Sequence, residues 1–137
     1  MSKETKVRWS WLKAMYIYTI IVAGGFGLGI IFVPNLIASI FRMPTQDPIT
    51  MGILGSIYIA SAALALLGLR SPLKFVPILL LQLVYKVVWF IGIILPVLIA
   101  AKFPAYAISF VIVFATFIIG DLIAIPFSYV FKKQPEL

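Results

Sequence analysis

The sequence predicts an all-α, polytopic membrane protein: an antiparallel bundle of four transmembrane helices with both termini cytoplasmic, forming one domain over residues 1–137. Three observations predict this class. Hydrophobic residues make up 64% of the chain and charged residues 11%, and the mean hydropathy of +1.17 lies far above a soluble domain, where roughly half the residues are apolar. The apolar residues fall into four runs, each long enough for the roughly 20 residues with which a helix crosses a bilayer core of about 30 Å. The basic residues behind the net charge of +7, Lys86 apart, lie at the ends of those runs and form no stripe with interleaved aromatics. Such a placement anchors helix ends against anionic headgroups and argues against nucleic acid as a partner.

The spans cover approximately residues 12–33, 49–69, 75–100 and 103–131. Pro34 closes the first. Asp47 before Pro48 reads as an N-cap with proline at the first helical position, Ser71 before Pro72 repeats that signal for the third span, and Pro104 opens the fourth. Lys3, Lys6, Arg8 and Lys13 stand at the start of the first span, Arg70 and Lys74 lie between the second and third, and Lys132 and Lys133 follow the fourth; the other two loops hold only Arg42 and Lys102. The positive-inside rule therefore puts both termini in the cytoplasm of a multi-pass protein of the cell membrane, the cytoplasmic membrane in a bacterium. A basic flank also suits a cleavable signal peptide, but the first apolar run is too long for an h-region and no small-residue cleavage site follows it.

The chain holds no cysteine and no histidine, which excludes disulfides, thiolate and imidazole chemistry and most transition-metal sites. Every glycine cluster lies within a span, so no loop is built to cradle phosphate, and no cofactor is expected.

In "AGGFGLG", residues 23–29, Gly25 and Gly29 have the four-residue spacing that lets membrane helices approach closely, and Gly52, Ser56 and Ala60 answer from the second span. Gly29 and Gly52 both fall roughly 5 Å from the outer ends of their spans, and Gly25 and Ser56 roughly 10 to 12 Å in. The two ridges are expected to face each other within one chain; the alternative is homodimerisation through the glycine face.

"LQLVYKVVWF", residues 81–90, sets Gln82 and Lys86 on one face of the third span. Lys86 lies roughly 16 Å from the cytoplasmic start of its span and Asp121 roughly 15 Å from the cytoplasmic end of the fourth. An unpaired charge at mid-bilayer costs about 2.5 to 3.5 kcal/mol on insertion scales, so the two are expected to pair across the helices. Tyr58 and Ser61 of the second span reach a similar depth, Thr19 of the first comes close, and Trp89 and Phe90 either wall this layer or simply pack. Pro96 cannot donate to the Gly92 carbonyl, nor Pro126 to that of Leu122, so both helices should bend or loosen there, as static kinks or as the lining of a cavity. The cluster has three readings: a pin that fixes helix register, a site for a ligand or protons, or a contact with a partner subunit.

The layout resembles that of the DoxX-like small four-helix membrane proteins: a glycine-rich first span ending in "FVPNLIASIF", a short loop, then "GILGSIYIASAALALLGLRSP" and two further spans. Some members of that group are described as membrane subunits of quinol-linked oxidoreductases, so the resemblance implies an accessory role beside a redox partner. Two other small-bundle families lack support in the residues. Small multidrug exporters depend on a glutamate in the first span, where this chain has no acid, and emopamil-binding-type sterol isomerases use a histidine, which is absent.

Three functions follow as expectations. The first is a non-enzymatic membrane protein whose Lys86/Asp121 site, with Gln82, Tyr58, Ser61 and Trp89 around it, binds a small or lipophilic ligand or moves protons. The second is an accessory subunit of a larger membrane complex. The third is a lipid- or sterol-type isomerase with Asp121 as base and Lys86 as electrostatic stabiliser.

Overall fold

The computed structural model describes residues 6–44 and 46–135. Lys3, counted above among the basic residues ahead of the first span, lies outside the described residues. The protein is an all-helical bundle, with α1 at Trp9–Phe32, α2 at Pro34–Phe41, α3 at Pro48–Arg70, α4 at Val76–Trp89, a π-helical turn at Phe90–Ile94, α5 at Leu95–Ile99, α6 at Ala107–Ala124 and α7 at Phe127–Val130. Four helical stretches, Trp9–Phe32, Pro48–Arg70, Val76–Ile99 and Ala107–Ala124, are long and apolar enough to cross a membrane. α1 packs most extensively on α3 and also on α6; α4 packs on α6 and, more lightly, on α3.

The helix ends follow local chemistry, with three departures from expectation. Asp47 caps α3 as expected: its Oδ2 accepts from the Thr50 amide at 2.9 Å and the Thr50 hydroxyl at 2.6 Å, and Pro48 occupies the first turn. Ser71, however, does not cap the third span. It ends α3, its amide bonding the Leu67 carbonyl, and α4 begins at Val76 with Pro77 in its first turn. The fourth span is shorter than 103–131: Pro104 lies in the turn ahead of α6, and Ile125 adopts the extended backbone (ψ 124°) that a following proline imposes, so α6 stops at Ala124. The Ile123 carbonyl, near that broken end, accepts from the Arg8 guanidinium at 2.9 Å. Pro96 has its expected effect in the π-helical turn at Phe90–Ile94, which holds the Gly92 carbonyl and ends two residues before the proline.

α2 was not expected. Pro34, which stops α1, also starts this helix, and α2 returns alongside the last turns of α1, with Ile37 against Gly29 and the Phe41 ring 5.3 Å from that of Phe26. Arg42, in the left-handed region at φ 54°, closes it.

Small residues do bring α1 and α3 together, but not those expected. A Cβ on Gly27 would meet the Gly55 carbonyl at 2.8 Å, one on Gly24 the Ala62 Cβ at 3.1 Å, and one on Gly68 the Tyr16 ring. Gly25 and Gly52 have nothing within 4 Å of a built Cβ. Gly25 is exposed, and Gly52, Ser56 and Ala60 line an outward-facing groove on α3, with Ser56 and Ala60 exposed. Gly29 packs against α2 instead of α3. In lipid, such close contact supplies the van der Waals attraction that a hydrophobic driving force cannot. The densest packing gathers around Leu12, Tyr16, Val76, Leu79 and Phe117, near the chain termini. Away from that cluster, around Phe26, Tyr58 and Phe110, the helices leave two cavities between them.

Candidate functional site

Lys86 stands one turn beyond Gln82 on α4; it is 1% exposed, and Gln82, Thr19 and Asp121 are fully buried. The Lys86 ammonium donates to Tyr85 Oη at 3.0 Å and to Gln82 Oε1 at 3.3 Å. It also lies 4.1 Å from the ring centre of Phe117, 4.5 Å from that of Tyr85 and 5.2 Å from that of Phe114. Two oxygens and three aromatic faces thus replace the hydration that the cation loses on burial. The Thr19 hydroxyl donates to the Met15 carbonyl at 2.8 Å and lies 3.5 Å from Gln82 Oε1, joining α1 to the cluster.

The expected hydrogen-bonded ion pair is not made. Among the described residues, neither carboxylate oxygen of Asp121 has a hydrogen-bond partner, and Gln82 Nε2 has none. Asp121 nevertheless shares the layer: it follows Phe117 by one turn on α6 and lies within electrostatic reach of Lys86, Tyr16 and Tyr85. The ammonium lies instead against the Phe117 ring, at 4.1 Å, and on Tyr85 Oη, at 3.0 Å.

Lys86 faces a cavity of about 340 Å³ enclosed by α1, α2, α3, α4 and α6. Its walls are apolar and aromatic apart from Lys86, Tyr58, Tyr85 and Ser109. Gly25, Ile40 and Ser109, from three different helices, line it and are exposed, so the cavity opens between α1, α2 and α6. A second cavity of about 600 Å³ adjoins it, sharing Phe26, Tyr58, Tyr85, Phe110 and Phe114 as walls.

The expected site residues sort clearly against this geometry. Tyr58 belongs to both cavities, its hydroxyl beside that of Tyr85. Trp89 walls the second cavity rather than the one at Lys86, its indole 4.9 Å from the Phe114 ring and 5.2 Å from that of Phe90. Ser61 is buried, but its hydroxyl donates to the Ile57 carbonyl of its own helix at 2.9 Å and it lines neither cavity. Tyr85, which accepts from Lys86 and lines both cavities, is the side chain of this cluster that sequence reasoning passed over. Its signal was its place next to Lys86, but adjacent helical residues point about 100° apart, and only the flexibility of the lysine brings the two together.

The chain matches no known protein family, no curated protein and no solved structure.

Proposed function

We propose that this chain is a multi-pass protein of the cell membrane, its four spans antiparallel and both termini cytoplasmic, that takes a small lipophilic ligand from the bilayer into the cavity at Lys86. One observation carries the reading: a buried ammonium in the wall of a largely apolar cavity that opens between α1, α2 and α6 at exposed Gly25, Ile40 and Ser109. Apolar pockets with a few convergent polar groups are the usual form of a small-molecule site, and an ionisable residue held within a membrane is costly enough to need a reason. The basic residues at both ends of the chain and between α3 and α4 support the orientation.

A lipophilic ketone bearing a diazirine, photolysed in membranes that hold the full chain, tests this. Labelling is expected at Phe26, Phe110 and Val113, and should fall in Gly25→Leu, which fills the opening where a Cβ meets nothing within 4 Å, and in Lys86→Met. Labelling spread evenly over the lipid-facing residues, unaltered by either substitution, would refute the reading. The unpartnered oxygens of Asp121 favour one addition, that this carboxyl exchanges a proton as ligand binds. Proton uptake or release that accompanies binding and disappears in Asp121→Asn checks it.

A further inference from the structure

The ligand class can be narrowed from the hydrogen-bonding character of the walls. An ammonium has three N–H donors; Tyr85 and Gln82 accept two from Lys86, which leaves one for a ligand. Tyr85 Oη accepts from Lys86 and turns its own proton to the neighbouring Tyr58 hydroxyl, so the pair keeps one hydroxyl proton, that of Tyr58, to donate. Among the described residues no carboxylate lines the cavity, and Asp121 is not one of its walls. The polar end of the cavity therefore presents a positive charge and a hydroxyl donor, which suits an anionic acceptor.

The space beyond is elongated. Tyr85 lines both cavities, and the second follows the helix from Tyr85 past Trp89 and Gly92 to Val97, twelve residues or roughly 18 Å of helix. Its walls along this course are aliphatic and aromatic side chains, and the π-helical turn at Phe90–Ile94 forms part of them. An alkyl chain fills such a volume without leaving a polar atom unpaired.

Building on the ligand-binding reading above, we propose that the ligand is a single-chain carboxylate amphiphile, a fatty acid, with its carboxylate on Lys86 and Tyr58 and its tail in the second cavity against Trp89. The three tryptophans are Trp9, Trp11 and Trp89, and the first two are 49% exposed. Trp9→Phe with Trp11→Phe thus leaves Trp89 as the sole tryptophan, excited apart from the tyrosines at the red edge, in the full chain purified in a non-ionic detergent. Stearate brominated at mid-chain is expected to quench Trp89 saturably. Lys86→Met should weaken its affinity roughly tenfold or more, Lys86→Arg should retain most of it, and the brominated alcohol of equal length should bind roughly tenfold more weakly than the acid. Gly92→Phe, placed where a Cβ meets nothing within 4 Å, should block the second cavity and abolish the quenching. If Lys86→Met does not fold, the acid-against-alcohol comparison and Gly92→Phe decide the matter.

Equal affinity of acid and alcohol would overturn the carboxylate assignment, while leaving the ligand-binding reading to the ketone labelling. Calorimetric binding of stearate that depends on Lys86 without quenching Trp89 would place the tail in the bilayer and overturn its course through the second cavity. Absence of both amphiphile binding and ketone labelling would overturn this inference together with the reading on which it rests.

Discussion

The Lys86 ammonium sits 4.1 Å from the centre of the Phe117 ring, one helical turn from Asp121 on α6, and no hydrogen bond joins it to that carboxylate. The cation is held mainly by Tyr85, Gln82 and aromatic faces, and Asp121 acts on it only through space. Removing Lys86 as Lys86→Met should cost about 1 to 3 kcal/mol, because Gln82 Oε1 loses its charged donor and the rings lose their cation. A double-mutant cycle with Asp121→Asn, followed by unfolding in detergent, should give a coupling of about 1 to 2 kcal/mol, as expected for charges that do not touch. Breaking a hydrogen-bonded buried pair costs about 3 to 5 kcal/mol, and a coupling in that range would mean that the two side chains meet directly.

The parts of this fold legible in the sequence are those governed by local rules or by bilayer thickness. The four spans were legible because each apolar run meets the required length, and the start of α3 because Asp47, Pro48 and Thr50 form a self-contained cap. The return of α2 was not, since "PNLIASIF" is apolar throughout and its direction depends on Ile37 finding Gly29. The glycine register failed for a similar reason. Gly24, Gly25, Gly27 and Gly29 cover several faces of one helix, and spacing cannot say which face meets α3. Within the site, Gln82, Lys86, Asp121 and Tyr58 were legible as polar groups at one depth. Their hydrogen bonds were not, because these depend on side-chain directions that depth does not determine.

The Asp47 cap predicts an acid-sensitive helix start. The Thr50 hydroxyl, and after it the Thr50 amide, hold the Asp47 carboxyl below the usual carboxylate range. A depressed folded-state pKa contributes stability that is fully present above the unfolded value, near 4, and is lost as pH falls through the folded one. Asp47→Ala should therefore lower the thermal midpoint by a few degrees at neutral pH. The difference from the parent should shrink as the pH is taken below the unfolded value. An equal deficit at neutral and strongly acidic pH would show that the carboxylate charge contributes nothing to the cap.

Ala101 offers a stabilising substitution. It closes α5 in the left-handed region at φ 55°, its amide bonding the Leu98 carbonyl and the Lys102 amide bonding that of Val97, both at 3.1 Å. This is the two-bond helix end at which glycine is favoured, because a Cβ in that conformation crowds the backbone by roughly 1 to 2 kcal/mol. Part of that gain is offset by the greater freedom of glycine in the unfolded chain. Ala101→Gly should stabilise the protein by about 0.5 to 1 kcal/mol in denaturant titration. A loss of stability would mean that the loop between α5 and α6 does not hold this conformation.

The packing of α1 on α3 makes opposite predictions for two glycines of the same helix. A Cβ at Gly68 would enter the Tyr16 ring, and that ring cannot swing away easily: Tyr16 is fully buried, and its hydroxyl donates to the Pro72 carbonyl in the turn that follows α3. Gly68→Ala should therefore cost about 1 to 3 kcal/mol, the usual penalty for overfilling a packed interface. At Gly52 a Cβ meets nothing within 4 Å and the position borders the outward groove, so Gly52→Ala should be neutral or stabilise by up to about 1 kcal/mol, the helix-propensity difference. Unfolding of both variants in detergent at several protein concentrations separates the two helix faces. A large, concentration-dependent cost at Gly52 would mean that the outward stripe of Gly52, Ser56 and Ala60 is covered by a second copy of the chain. A negligible cost at Gly68 would mean that Tyr16 can leave its place, and with it the link from α1 to the loop between α3 and α4.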